Sequence, residues 1–412
     1  MKKRVVITGL GILCSIGKGR EDFWQGLKEG RSGCRPITLF DTSSFRVKTG
    51  GEITDFDAKL YMGIKGLRTL DRSTKLLVSA AKLAIDDSRF IITEENTDTL
   101  GVSVGTTLGS VKSIGDFHEV TLRDGPRYTN PALFPNTVIN SPASQVSIWN
   151  NIKGFNSTIS TGFTASIDAM RYAYDFIQMD RVKLVYAGGV EEMCEQIFLG
   201  FHVLKFLSGS VEGQEVVNCP FDKRRNGVMF GEGACLMAVE ELEHAQKRNA
   251  NILGEIIGFG TRFDPFRINR YNPMATGLIE SIQLALQDAE ITEKDIDCIC
   301  ANANSTPTAD RVETFAIKQV FGDRAYAIPI SAVKSMLGES FSVCGAFASA
   351  AALSIFKEGI IFPTINYQVK DPECDLDYVV NKARSANVKN ILIITAAPSG
   401  GNSCMILRRY EA

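Results

Sequence analysis

Short apolar runs rich in β-branched residues alternate along the 412-residue chain with longer amphipathic stretches. This alternation predicts an α/β protein whose mainly parallel sheets are covered on both faces. Ten strands are expected, at residues 4–8, 101–106, 157–161, 183–187 and 234–239, then 252–259, 296–301, 327–331, 390–395 and 404–408. Five precede the charged stretch 240–248 and five follow it. Between them, residues 73–86 carry Leu76, Leu77, Ala80, Leu83 and Ala84 at helical spacing, and residues 277–289 carry Leu278, Ile282, Ala285 and Leu286 likewise. Both helices close on similar text, Ala84-Ile85-Asp86-Asp87-Ser88 and Leu286-Gln287-Asp288-Ala289-Glu290, as an internal duplication would leave. No Pro/Ser-rich linker separates the halves, so two pseudo-repeats, 1–245 and 246–412, are expected to pack into one body.

Composition narrows the class. With 44% apolar residues the chain can bury a large core, and 45 Lys plus Arg against 47 Asp plus Glu leave a net charge of -2. That balance gives no reason to expect nucleic acid or a charged membrane as partner. The basic start Lys2-Lys3-Arg4 before an apolar stretch has the look of a secretion signal, but Thr8, Gly9 and Gly11 interrupt the run and no small-residue cleavage site follows. A first buried strand that turns at its glycines is expected instead, in a cytoplasmic protein. Ten cysteines are scattered without a framework and read as reduced, packed thiols. Cys298 and Cys300 fall on one strand face with no second pair nearby, so neither metal nor other cofactor is expected.

Several stretches together resemble the β-ketoacyl carrier-protein synthases. They are Val5 to Gly11 with Phe23-Trp24 downstream, Leu70-Asp71-Arg72, Pro131 to Pro135, Gln145 to Ile148 leading into Lys153-Gly154, and Pro220-Phe221-Asp222 with Arg225-Asn226-Gly227 and Gly231-Glu232-Gly233-Ala234. The resemblance implies a duplicated thiolase-like α/β/α/β/α sandwich with two mixed five-stranded sheets, working as a dimer. It also implies decarboxylative Claisen condensation, which needs a thiolate to take the acyl chain and two imidazoles to stabilise developing charge.

At the family's catalytic motifs this chain carries other residues. Ser160-Thr161-Gly162-Phe163-Thr164-Ala165-Ser166 places Phe163 where the resemblance implies the nucleophilic cysteine. The block Ala301 to Asp310 places Asn302 at the first histidine, and Lys334-Ser335-Met336-Leu337-Gly338-Glu339 keeps Lys334 but places Glu339 at the second. Ala397-Pro398-Ser399-Gly400-Gly401 places Ser399 at the gating phenylalanine. A carboxylate at Glu339 is expected to repel a malonyl anion.

From these positions the chain is expected to be non-catalytic by itself, similar to the chain-length factor of type II polyketide and polyene systems. The expected partners are a catalytic ketosynthase in a heterodimer and a phosphopantetheinyl acyl carrier protein that delivers the substrates and docks mainly on that partner. Leu108, Leu133 and Phe134 are candidate walls of the acyl tunnel or interface. The alternatives are a stand-alone homodimeric acyl-binding or scaffold pseudoenzyme and, further off, a malonyl decarboxylase.

Overall fold

The fold is described from a computed structural model covering residues 2–411. Ten strands carry it: β1 (Val5–Cys14), β2 (Leu100–Gly105), β3 (Asn156–Ile159), β4 (Leu184–Glu191), β5 (Gly233–Glu241), β6 (Gly254–Phe263), β7 (Cys298–Cys300), β8 (Ile330–Ser331), β9 (Asn390–Ala396) and β10 (Gly401–Arg408). All ten expected strands are present. The first five run in the order β3-β2-β4-β5-β1 and the second five in the order β8-β7-β9-β10-β6. In each half three strands are parallel and the last two antiparallel, so the two halves repeat one topology. This is the duplicated thiolase-like architecture. The two five-stranded sheets also meet edge to edge, because Val5, Val6 and Ile7 of β1 pair antiparallel with Ile256, Glu255 and Gly254 of β6.

One local expectation is corrected. The chain does not turn at Gly9 and Gly11; both lie inside β1, which continues to Cys14. The reason is a close approach by helix α1 (Arg72–Ser88), since a Cβ on Gly11 would fall 1.9 Å from the Ala80 carbonyl oxygen. The glycines that looked like a stop are what let the helix lie on the strand.

Further helices are α2 (Val111–Asp124), α3 (Ser141–Asn150), α4 (Ala165–Gln178), α5 (Glu195–Val203), α6 (Thr276–Asp288), α7 (Pro307–Phe321) and α8 (Cys344–Glu358). Helix α1 covers β1 and β5, and α6 covers their counterparts β6 and β10. Helices α4 and α8 pack on each other and against strands of both halves, forming the middle layer. Residues Phe341–Glu358 are apolar and long enough to cross a membrane by length and composition, yet 89% of that segment is buried inside the protein. Its alanines suit a helix enclosed on every side.

Candidate active site

Four chain segments converge where the two halves meet. Gly162 to Thr164 form a single 3-10 turn that leads into α4, so Phe163 stands at the helix entry. Gly162 has φ 77°, in the left-handed region that a side chain disfavours, and a Cβ there would lie 3.6 Å from Ser399 Oγ. Ser399 itself is exposed, in the turn between β9 and β10. Phe163 is buried, with its ring 5.0 Å from that of Phe341.

Behind Phe341 lies a closed polar cluster. Lys334 Nζ donates to Asn302 Oδ1 and to Glu339 Oε2, both at 2.9 Å. Asn304 Nδ2 donates to the same Glu339 oxygen at 3.0 Å. Glu339 Oε1 accepts from the Phe341 backbone N–H and from Cys344 Sγ, each at 3.0 Å. Asn302 Oδ1 also accepts from the Ala396 N–H at 3.2 Å, which ties the cluster to the end of β9.

Burial penalises the Lys334 ammonium most, but the charge and hydrogen bond of Glu339, with the nearby Cys344 and Glu313, together outweigh that penalty and leave its pKa raised. Desolvation, followed by the same carboxylate, pushes the Cys344 thiol well above its ordinary range. One layer further in, burial lifts Glu313 to about 8, although it accepts the N–H groups of Asn302 and Ala303. Asp310 is lifted to about 6 for the same reason, partly offset by Arg225.

Phe163, Asn302, Lys334, Glu339 and Ser399 thus stand on segments that adjoin one another. The expectation of a bare repulsive carboxylate is corrected, because Glu339 is ion-paired with Lys334 and accepts three further hydrogen bonds. Cys344 and Asn304 were not singled out as site residues from sequence. Cys344 begins a helix near the motif, which was the available hint; Asn304 sits two residues beyond Asn302. His118, His202 and His244 stand elsewhere, and His244 is held by Glu240 at 2.6 Å. Among the described residues no cluster could hold a metal ion.

Of the three candidate wall residues, Leu133 lines a cavity of about 760 Å³ beneath α2. Phe134 is 58% exposed with its ring against Phe117, and Leu108 packs on the apolar cluster that contains Phe163.

A duplicated thiolase-like body with the converging motif segments at its centre defines a condensing-enzyme fold, and the chain belongs to the β-ketoacyl synthase family. The family's N-terminal domain model matches residues 2–245 and its C-terminal domain model residues 253–368. The chain is 37% identical over 409 residues to 3-oxoacyl-[acyl-carrier-protein] synthase 2 of Coxiella burnetii, covering 99% of each. It is similar to a solved structure described as the ishigamide ketosynthase/chain length factor, with TM-score 0.93, 33% identity and full coverage of both chains. A second solved structure shows a type II polyketide synthase acyl-carrier protein in complex with its ketosynthase bound to the hexaketide, with TM-score 0.91, 27% identity and full coverage of both.

These relatives overturn the reading of the chain as a non-catalytic chain-length factor or pseudoenzyme. Full-length likeness to a named 3-oxoacyl-[acyl-carrier-protein] synthase, and to a ketosynthase in complex with its acyl-carrier protein, supports an active condensing enzyme. A pairing with a second synthase-fold chain and an interaction with acyl carrier protein both fit the assemblies seen in the solved structures.

Proposed function

We propose that the protein is a β-ketoacyl synthase that joins carrier-protein-bound acyl groups by decarboxylative Claisen condensation, within a dimer of synthase-fold chains. The observation that carries this reading is the 37% identity, over 99% of both chains, to a 3-oxoacyl-[acyl-carrier-protein] synthase. In this reading Phe163, Asn302, Lys334, Glu339 and Ser399 take the places that the family's motifs give to the acyl-accepting, charge-stabilising and gating groups. Lys334, Asn302 and Asn304 supply buried hydrogen-bond donors, the kind of group that stabilises an oxygen gaining negative charge.

The acyl chain must ride on a thiolate, and the Phe163 ring offers none. The thiol therefore comes from Cys344 or from the second chain of the dimer. Cys344 is the first residue of α8, where the helix dipole favours a thiolate, but burial and the neighbouring Glu339 carboxylate hold its thiol protonated, which favours the second chain as the source.

The test incubates the purified protein, alone and co-purified with a synthase-fold partner, with acyl- and malonyl-loaded carrier protein. A β-ketoacyl product is expected, with peptide mapping showing which thiol carries the acyl group. No product in either preparation overturns the reading.

A further inference from the structure

The segment that joins β6 to α6 carries large apolar side chains in solvent. Arg267, Ile268, Asn269 and Arg270 form a tight turn there, in which the Arg270 N–H donates to the Arg267 carbonyl at 3.4 Å and Asn269 takes φ 57°. Ile268 stands at the tip and is 82% exposed. Phe266 is 44% exposed, and Phe263 and Met274, at the two ends of the segment, are exposed as well. Several exposed apolar side chains gathered on one short segment mark a contact surface.

The roots of the turn are fixed. The Asp264 N–H donates to the Gly400 carbonyl at 2.7 Å, and the Asp264 carboxylate accepts from Asn272 Nδ2 at 2.9 Å and from the Gly277 N–H at 3.1 Å. The one acidic side chain between β6 and α6 is thereby spent within the segment and on the start of α6.

Cations stand around the tip. Arg267 and Arg270 flank Ile268-Asn269 and are exposed, and the Arg267 guanidinium lies 5.9 Å from the Phe266 ring centre. Lys205 shares a cavity wall with both arginines. Arg262 and Arg311 are paired with Glu280 and Glu373, whereas Arg267, Arg270 and Lys205 have no ion-pair partner among the described residues. The near-neutral charge of the whole chain hides this local excess.

We propose that this turn is a membrane-contact site, in which Ile268 and Phe266 enter the acyl boundary of an anionic bilayer while Arg267 and Arg270 pair with lipid phosphates. An apolar tip flanked by cations binds such an interface through burial of the tip and attraction to the headgroups together. A lipid surface fits this shape better than a protein partner does. Ile268 tops a two-residue turn, around which a fluid interface can close, whereas a stable protein partner needs a face that buries about 1,000 Å² or more. The contact uses none of the residues of the central polar cluster.

The experiment sediments the purified full chain with vesicles of phosphatidylcholine alone and of phosphatidylcholine mixed with phosphatidylglycerol. The wild type should bind the anionic vesicles, and Arg267→Gln and Arg270→Gln should each bind roughly fivefold more weakly, the worth of one surface cation. Ile268→Asp should weaken binding by roughly tenfold or more, because an inserted side chain becomes a repelled charge. Raised salt should weaken it as well. All three substitutions fall on exposed side chains, so melting temperatures should match the wild type. In Ile268→Trp the indole emission should shift to the blue when anionic vesicles are added, and an unshifted emission overturns the proposal. No binding to anionic vesicles, equal binding to the two compositions, or undiminished binding by Ile268→Asp overturns it too. Retention of an acidic carrier protein through Ile268, with no vesicle binding, does the same and assigns the turn to a protein partner.

Discussion

Lys334 Nζ lies 2.9 Å from Glu339 Oε2, and the two side chains keep only 3% and 0% of their surface exposed. An ion pair this deep owes its existence to both members, since either charge alone would be stranded in a low-dielectric interior.

Removing one partner should therefore cost more than removing both. Lys334→Met is expected to lose about 3–5 kcal/mol, and Lys334→Met with Glu339→Gln to recover a large part of that loss. Urea denaturation of the two variants checks it; a double variant no more stable than the single would show that the pair is not coupled.

Phe163 is a packing residue whatever else it does. Phe163→Ala leaves a void against Phe341 and should destabilise by about 3–5 kcal/mol, the usual range for a buried Phe. A calorimetric loss well under 1 kcal/mol would mean that the ring is free to give way there.

Glu192 ties stability to pH in a definite direction. Its folded-state value of about 8 stands above the ordinary 4.5, so the folded chain holds a proton that the unfolded chain releases between those values. The stabilising contribution is complete below about pH 4.5 and is lost as pH rises through about 8. Glu192→Gln should flatten the fall in stability across that window, read from denaturation midpoints at several pH values. An unchanged slope would indicate that Glu192 is already ionised in the folded protein.

Strand β3 ends its sheet, and β2 is its pairing neighbour. An open strand edge invites a second chain, and Leu133, Phe134, Ile139 and Ile148 are exposed apolar residues of the segments that lead up to it. The protein is expected to run as a dimer in light-scattering chromatography, and Phe134→Asp to shift it toward monomer without lowering monomer stability. A wild-type monomer at micromolar concentration counts against the interface.

The sequence by itself determined the ten strands, their split into equal halves and the segments that meet at the centre. These features follow from hydrophobic periodicity and local motifs, which are written in consecutive residues. It misplaced the end of β1, because Gly9 and Gly11 look alike whether they break a strand or admit a helix, and only the position of Ala80 decides between the two. Only the tertiary structure decided the state of Glu339. Its identity suggests a free negative charge, but local turns aim the neighbouring Lys334, Phe341 and Cys344 at it, and packing brings in Asn304 from a separate segment. Glu192 makes the same point more sharply. Nothing in Glu191-Glu192-Met193 distinguishes two adjacent carboxylates, yet Glu191 accepts from Thr106, Thr107, Leu108 and Ser342, while one oxygen of Glu192 is left facing a shortage of donors. Which carboxyl is satisfied depends on groups more than eighty residues away in the chain, and those distances are set by packing.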